Sequence, residues 1–253
     1  AVDMGGTSYD VSLVEDGRVH QVNQGEIDGC PVRLPMVEMR TIGAGGGSVA
    51  GTDTAGGLYV GPESAGAAPG PACYDRGGKR PTVTDANVTL GRIDPLHFLG
   101  GAMRLNTTAA QQAVTADVAV PLKLDLEETA EGITQIAVAH MASAIRLSLF
   151  EKGLDPEDFA LVSFGGAGGL HACDTAAELD IKQVIFPSDP GTLSAWGMLY
   201  ADIAHDLTSA QLMNADAGAK EELAKTVAIL SAEGLKRLSA DGIAEKDQKL
   251  AYT

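Results

Sequence analysis

The chain opens with a pattern of apolar and polar positions that is typical of two short strands joined by a glycine turn. An apolar entry runs into Gly5 and Gly6, and Val11 and Leu13 then alternate with polar neighbours. Alternation with a period of two places one set of side chains on the buried face of a strand. Paired glycines between two such runs favour a tight turn. The pattern therefore predicts a β-hairpin over residues 1–14.

The tip of this hairpin carries candidate chemistry. Asp3 precedes Gly5 and Gly6, and the hydroxyls of Thr7 and Ser8 follow them. Glycines let backbone N–H groups approach a phosphate closely, and hydroxyls add further donors. A carboxylate at this place suits Mg²⁺, which prefers oxygen ligands and keeps much of its water. The alternative is an ordinary hairpin whose tip needs glycine for its backbone conformation.

Helical periodicity dominates the second half of the chain. A helix is predicted to open between Asp125 and Glu128 and to run to Lys152, with Gly153 as its C-terminal stop. Apolar residues recur along it at spacings of three and four, which predicts one core-facing side. This stripe consists of Ile133, Ile136, Ala137, Met141, Ala144 and Ile145.

A strand, a glycine turn, a helix and a further strand follow that helix. The apolar run Phe159–Phe164 predicts a buried strand, Gly165–Gly169 a turn, the residues through Leu179 a helix, and Gln183–Phe186 a strand. This order is typical of α/β folds. A turn of this kind directs N–H groups and a helix N-terminus toward an anion or a ribose. The alternative is a glycine turn that only packs a helix closely on a strand, since the spacing fits neither the nucleoside-triphosphate loop nor the dinucleotide fingerprint.

Between the hairpin and these elements lie short strands and a glycine-rich loop. Partial alternation predicts strands near Val32–Leu34 and Val37–Arg40. Four of the five residues in Gly43–Gly47 are glycines, flanked by the apolar Ile42 and Val49. Linkers are usually richer in Ser, Pro and charge, so this composition favours a tight loop pressed against a ligand or another part of the chain.

The segment Gly61–Tyr74 is rich in proline, glycine and alanine and nearly free of charge. Such a composition suits either a flexible linker or an ordered loop lying against a neighbouring surface. A helix is predicted directly after it, opened by Thr84 or Asp85 and running through Leu90. An alternative role for Asp85 is to face a metal or a substrate.

Composition excludes several classes of protein. The 253 residues carry a net charge of −16, which argues against nucleic-acid binding, because that rests on Lys and Arg neutralising phosphates. No apolar run looks long enough to cross a membrane. Three widely spaced cysteines without a C-x-x-C pair, Cys30, Cys73 and Cys173, predict neither a zinc cage nor a disulfide framework, and we expect a reducing cytoplasm. Each thiol is expected to be a small buried apolar group. The chain opens inside a predicted strand, so we expect a domain cut from a longer polypeptide.

The two glycine sites together resemble nucleotide-binding motifs of the actin-like ATPases. The hairpin is similar to their second phosphate motif, and Phe164–Gly168 is similar to their adenosine motif. More specifically, residues 1–206 resemble the hydantoinase A/5-oxoprolinase family through a series of motifs. These motifs are Ile42–Ser48, Val60–Gly66, Pro69–Pro71, Thr84–Asn87, Leu90–Arg92, Phe98–Gly101, Gly191 and Ser194–Met198.

This resemblance implies an α/β fold with a mixed sheet flanked by helices, as in one lobe of the actin-like ATPase (ribonuclease H-like) fold. Only one phosphate motif is present, which implies the C-terminal lobe of a two-lobed enzyme, with residues 207–253 as a helical extension of the same domain. The implied partners are the missing N-terminal lobe of the same polypeptide and a hydantoinase B-type subunit or domain.

The resemblance also implies the activity and its residues. The expected cofactors are ATP and Mg²⁺, and the reaction is ATP-dependent hydrolysis of a cyclic amide after phosphorylation of its carbonyl oxygen. Asp3 and Asp10 are the candidate catalytic residues, and Asp3 is also the candidate metal ligand. The candidate nucleotide-binding residues are Gly5, Gly6, Thr7 and Ser8 for the phosphates, and Gly165, Gly166 and Gly168 for the adenosine.

Two alternatives remain open. One is a subunit of an ATP-dependent ketone carboxylase, and the other is a non-catalytic lobe that serves as an assembly surface for a partner subunit. The uncharged Gly61–Tyr74 segment favours the assembly role. The resemblance gives no role to His171.

Overall fold

The structure is a computed structural model that describes residues 1–27, 29–33, 35–210, 212 and 218–252. The chain divides into two compact units, Ala1–Trp196 and Gly197–Thr253. Part of the expected strand at Val32–Leu34 and the start of the tail at Gln211 lie outside the described residues.

The first unit is built on a five-stranded mixed sheet. Its strand order is β13-β12-β1-β2-β9, and four two-stranded pairs (β3–β4, β5–β8, β6–β7 and β10–β11) accompany it. The strands are β1 (Val2–Met4), β2 (Tyr9–Ser12), β3 (Val14–Glu15), β4 (Arg18–Val19), β5 (Gln21–Val22), β6 (Gly25–Ile27), β7 (Cys30–Val32), β8 (Met36–Val37), β9 (Met39–Ile42), β10 (Ser48–Thr52), β11 (Leu58–Ser64), β12 (Ala160–Phe164) and β13 (Gln183–Ile185).

The predicted hairpin forms the centre of this sheet. β1 pairs antiparallel with β2, and β2 pairs antiparallel with β9. On its other side β1 pairs parallel with β12, which in turn pairs parallel with β13. Val11 and Leu13 are buried, as the alternation predicts, and Met4 and Tyr9 are buried beside them. Burial raises the pKa of Tyr9 well above its ordinary value.

Seven α-helices complete the described chain. They are α1 (Val83–Thr89), α2 (Thr107–Val114), α3 (Val120–Leu122), α4 (Leu126–Phe150), α5 (Ala172–Glu178), α6 (Leu193–Met198) and α7 (Ala219–Ala240), and a π-helical stretch, Thr115–Ala119, joins α2 to α3. Helix α4 packs against β2 and β9, and α5 packs against β12 and β13. The expected α/β architecture, a mixed sheet with flanking helices, is therefore confirmed.

Helix α4 forms where its sequence pattern places it. The Asp125 carboxylate accepts a hydrogen bond of 2.7 Å from the Glu128 N–H and caps the first turn. Gly153 adopts a left-handed φ of 71° just beyond the C-terminus. All six stripe residues join the core, five of them buried and Ile136 partly so. This helix has the length and composition of a membrane span, contrary to expectation, but half of its most apolar window is buried within the fold.

The region after the glycine-rich loop differs from the sequence prediction in one detail. The N-cap of helix α1 is Thr82, which lies two residues before Thr84 and three before Asp85, the two expected caps. Thr82 and Asp85 form a capping box, in which each side chain bonds to the other residue's backbone N–H.

The expectation that every cysteine is buried is correct only for Cys73, which is fully buried, because Cys30 and Cys173 are exposed.

The second unit contains α7, followed by a 3₁₀ turn at Glu245–Asp247. Gly234 and Leu238 are its buried helical residues. The His205 ring and the Asp241 carboxylate lie 2.5 Å apart within this unit. Helix α7 lies within the predicted helical extension, residues 207–253; its membership of the same domain stays a prediction.

Candidate functional site

The fold brings the hairpin tip and the second glycine turn to the same edge of the sheet. Strands β1 and β12 run parallel, with Asp3 opposite Phe164, so both carboxyl ends point the same way. The Ala167 N–H donates to the Met4 carbonyl at 2.9 Å, which ties the turn directly to the hairpin. Ligands of α/β sheets bind beyond the carboxyl ends of strands, so this edge is the candidate site.

The tip itself is open. A Cβ atom added to Gly5 or Gly6 would have no neighbour within 4 Å, and neither glycine has a left-handed φ. Within the described chain, the Gly6 and Thr7 N–H groups donate to no protein acceptor. Unpaired amides in front of open space are what a bound phosphate requires, and these residues fit one.

The three predicted adenosine glycines differ in their surroundings. Gly165 has a φ of 85° and lies against the Asp3 carboxylate and the Met4 backbone, where a Cβ would collide. A Cβ on Gly168 would lie 2.9 Å from the Ser163 hydroxyl. Gly166 is exposed and its Cβ direction is open. Gly165 and Gly168 thus allow the turn to pack on β1, and Gly166 faces open space.

The glycine-rich loop presses against the back of the tip. The Gly46 N–H donates to the Gly5 carbonyl at 3.1 Å, and the Gly47 N–H donates to the Gly6 carbonyl at 2.6 Å. A Cβ on Gly45 would lie 2.5 Å from the Thr7 nitrogen. Residues 43–47 therefore form the predicted tight loop, and the loop packs against the hairpin tip.

Two carboxylates face one another beside the tip. Asp3 and Asp10 are directly opposite across the antiparallel β1–β2 pair, so their side chains share one face. Like charges in such a pair are destabilising unless something compensates them. Asp10 accepts from the Thr41 hydroxyl at 2.6 Å and from the Ser8 hydroxyl at 3.1 Å. Asp3 accepts from the Ser194 hydroxyl at 2.7 Å.

This donor set fits Mg²⁺, which takes oxygen ligands and is commonly held through one or two carboxylates and water. Among the described residues, no three His, Cys, Asp or Glu side chains gather closely enough to hold a metal without other ligands. A cation here would be held by Asp3 and Asp10, with its further ligands being groups other than His, Cys, Asp or Glu side chains.

Asp85 has a structural role. One carboxylate oxygen accepts from the Cys73 N–H at 2.7 Å, and the other from the Ala72 N–H, the Thr82 N–H and the Thr82 hydroxyl. The side chain is completely buried. These bonds order the end of the Gly61–Tyr74 segment and leave Asp85 little capacity to face a metal or substrate.

His171 lies buried behind the second turn. Its Nε2 is 3.2 Å from Nδ2 of Asn87, which also donates to the Val83 carbonyl at 2.9 Å. Burial lowers the pKa of His171 to about 4, so its ring is neutral at physiological pH. Helix α1 is tied at the same time to the glycine-rich loop, because the Thr84 hydroxyl donates to the Gly46 carbonyl at 2.8 Å. His171 and Thr84 thus join both glycine segments through α1.

Several residues of the site had no assigned role from sequence. Thr41 and Ser194 bind the two carboxylates, and the Ser64 hydroxyl lies 3.3 Å from that of Thr7. Ser64 and Ser194 lie in the motifs that carry the family resemblance, and these motifs are the sequence feature by which the two residues could have been identified. Thr41 precedes the first of those motifs.

Comparison with known proteins identifies the family of the chain. The sequence profile of the hydantoinase/oxoprolinase family matches residues 1–207, most of the chain. The chain belongs to this family. The expected resemblance is confirmed. Members of the family named below are ATP-dependent enzymes or subunits of enzymes.

Two curated relatives and one solved structure illustrate the similarity. Caprolactamase subunit alpha of Pseudomonas jessenii is 41% identical over 95% of this chain and 35% of its own length. The acetophenone carboxylase gamma subunit of Aromatoleum aromaticum is 44% identical over 81% of this chain and 28% of its own length. A nucleotide-free structure of acetone carboxylase, from a study of ATP-dependent acetone carboxylation, superposes with a TM-score of 0.81 at 29% identity, covering 97% of this chain and 36% of that one.

These comparisons confirm the fold as an actin-like ATPase lobe. The chain spans about a third of the length of these relatives.

Proposed function

We propose that this hydantoinase/oxoprolinase-family chain is the ATP-binding lobe of an ATP-dependent hydrolase that opens a cyclic amide after phosphorylation of its carbonyl oxygen. The observation that carries the proposal is the open glycine tip beside two facing carboxylates at the carboxyl edge of the sheet. Caprolactamase subunit alpha, which matches 95% of the chain, is named for a lactam.

The residues divide between phosphate, metal and adenosine. In the proposal, the open face of Gly5 and Gly6, with the hydroxyls of Thr7 and Ser8, receives the β- and γ-phosphates. Asp3 positions Mg²⁺ or a water molecule, and Asp10 stands opposite it. The adenosine lies along the turn formed by Gly165, Gly166 and Gly168, where Gly166 is the open position.

Bound ATP would supply a phosphoryl group that turns the carbonyl oxygen of an amide into a good leaving group. The chain's own contribution is positional. Fixed N–H donors at Gly6 and Thr7 stabilise negative charge without reorganising, which is the largest single contribution in many enzymes. The facing carboxylates of Asp3 and Asp10 would hold a cation, which would supply positive charge to the phosphates.

The proposal includes partners. We place this lobe in a longer polypeptide, whose N-terminal lobe closes over the nucleotide, and with a hydantoinase B-type subunit or domain that completes the reaction in the cytoplasm. Closure of two lobes excludes water and strengthens each fixed donor. The relatives are named as alpha and gamma subunits, which agrees with such an assembly.

A ketone carboxylase subunit is the second candidate. This candidate is supported by the chain's 44% identity to the acetophenone carboxylase gamma subunit. Both reactions place a phosphoryl group on a carbonyl or enolate oxygen, so the ATP-binding lobe would act in the same way.

The test is substrate-stimulated phosphate release by the longest polypeptide that contains this chain, with its B-type partner present. A panel of lactams, 5-oxoproline and hydantoin is compared with ketones plus bicarbonate. Stimulation by cyclic amides supports the hydrolase, whereas stimulation only by ketones with bicarbonate supports the carboxylase. The isolated chain is assayed in parallel, and we expect weak ATP binding and negligible turnover. Turnover at the rate of the longer polypeptide would refute the single-lobe proposal.

A further inference from the structure

The segment that follows β13, residues 187–194, returns to the start of the chain. The Gly165 N–H donates to the Pro190 carbonyl at 2.9 Å, so the segment is fastened to the second glycine turn. Thr192 closes a local turn by donating its N–H to the Asp189 carbonyl at 3.2 Å. Helix α6 then begins, and the hydroxyl of its second residue, Ser194, reaches Asp3.

The two facing carboxylates obtain their hydrogen bonds from different places. Asp10 takes both of its donors from nearby: Thr41 is its partner in the β2–β9 register, and Ser8 is two positions away. The cross-strand neighbours of Asp3 are Asp10 on one side and Phe164 on the other. A phenylalanine ring and an ionised aspartate cannot donate a hydrogen bond, so neither neighbour supplies a donor to Asp3 and its donor comes from outside the sheet. Ser194 supplies it.

One hydroxyl on one carboxylate oxygen limits the rotation of the Asp3 side chain without using its full capacity. Ser194 contacts Oδ2, whereas Oδ1 lies against Gly165. An ionised carboxylate offers about four acceptor positions, so further positions stay available to water or a cation. Hydrogen bonds to charged groups are stronger than those between neutral groups. The bond therefore favours one orientation of Asp3 at the edge where the tip is open.

We propose that Ser194 is a positioning residue: the segment of residues 187–194 brings its hydroxyl to the edge beside the hairpin tip and the second turn, where it orients the Asp3 carboxylate. This inference rests on the proposed function, because it gives Ser194 an effect only through the role of Asp3. It predicts that Ser194 matters for turnover and metal use more than for stability or nucleotide affinity.

The experiment is a double-mutant cycle in the longest polypeptide that contains this chain. Ser194→Ala should lower kcat about three- to tenfold, the range for losing one ordinary hydrogen bond, because exposure to solvent weakens this one. The KM for ATP should change by less than about twofold, since Ser194 touches Asp3 and not the phosphate-binding tip. Ser194→Thr, which keeps a hydroxyl, should restore most of the rate. In the Asp3→Asn background, Ser194→Ala should have almost no further effect.

A matched control lies in the same segment. Thr192→Ala removes a hydroxyl that bonds, within the described part of the chain, to the Asp189 carbonyl of its own turn, and should leave kcat unchanged. A readout other than activity is calorimetric titration of Mg²⁺ into the protein saturated with a non-hydrolysable ATP analogue. Ser194→Ala should weaken this Mg²⁺ binding about threefold, and the ligand-free melting temperature should stay unchanged.

The outcomes separate this inference from the proposed function. If Asp3→Asn impairs turnover and Ser194→Ala adds its full loss on top, Ser194 does not act through Asp3 and the inference is wrong, while the proposed function stands. An equal loss in Thr192→Ala also overturns it, because the effect would belong to the segment's folding. Full activity of Asp3→Asn would refute the proposed role of Asp3 and, with it, the role of Ser194.

Discussion

Gly45→Ala and Gly6→Ala form a pair of substitutions that separates the packing of the site from its binding surface. Gly45 lies where the glycine-rich loop touches the hairpin tip. A Cβ at Gly45 would be 2.5 Å from the Thr7 nitrogen and 2.6 and 2.7 Å from the Gly6 carbonyl carbon and oxygen. Favourable contacts of carbon atoms lie at about 3.5–4.0 Å, so the overlap approaches 1 Å.

The overlapping atoms belong to backbone, which cannot move aside as a flexible side chain can. Overpacking of this kind costs about 1–3 kcal/mol, and we expect Gly45→Ala near the upper end. One kcal/mol shifts the melting temperature of a domain of this size by about 2–4 °C, so a loss of roughly 4–12 °C follows.

Gly6→Ala should behave in the opposite way. Nothing lies within 4 Å of the added Cβ, and Gly6 has no left-handed φ, so we expect a stability change within about 1 kcal/mol. The methyl group would occupy the space proposed for the phosphates. ATP affinity should therefore fall at least tenfold, about 1.4 kcal/mol.

Thermal unfolding by circular dichroism and calorimetric titration with Mg-ATP measure the two effects on the same preparations. If Gly6→Ala binds ATP as tightly as the unsubstituted protein, the phosphates do not lie on the tip. If Gly6→Ala loses as much stability as Gly45→Ala, the tip is packed rather than open, and the site as described is wrong.

Three further predictions concern Asp3, His171 and the cysteines. Asp3→Asn in the longer polypeptide should lower kcat by about a hundredfold or more and change ATP affinity by less than about threefold, because the metal matters most where charge develops in the reaction. Steady-state kinetics measures kcat and calorimetry measures ATP affinity. Equal losses in kcat and in ATP affinity would contradict the proposed role of Asp3. Burial lowers the pKa of His171 from 6.5 to about 4, so the unfolded chain binds this proton more readily than the folded chain does. The free energy of unfolding should therefore fall by roughly 3 kcal/mol as the pH drops from about 6.5 to 4. Urea denaturation across this pH range measures the effect, and His171→Gln should lose this part of the pH dependence. Cys73 is buried, and burial raises the pKa of its thiol well above its ordinary value. Ellman's reagent should therefore modify Cys30 and Cys173 in the native chain and Cys73 only after denaturation. Rapid modification of all three thiols would show that the region around Cys73 opens.

Local patterns determined the individual elements. Helix α4 needed only its apolar stripe, the Asp125 cap and Gly153, all of which act within a few residues along the chain. The hairpin and the unit from β12 to β13 followed in the same way from alternation and glycine. The start of α1 was misplaced because two neighbouring polar residues compete as caps. Thr82 is the cap through its capping box with Asp85, a local pattern that the prediction missed. Only the tertiary structure shows that Asp85 also accepts from the backbone of Ala72 and Cys73.

The chemistry of the site depended on both sources. The sequence determined which residue types stand at the tip, because glycines, hydroxyls and an acid in that order suit a phosphate and a cation. Only the tertiary structure decided that Asp10 opposes Asp3, that the glycine-rich loop presses on the tip, and that Ser194 binds Asp3. The physical reason is that periodicity and capping act over a few residues, whereas strand register and loop closure bring together residues far apart in the chain. Asp3 and Ser194, 191 positions apart, meet only because β1 and β12 pair side by side and the segment after β13 folds back over their carboxyl ends.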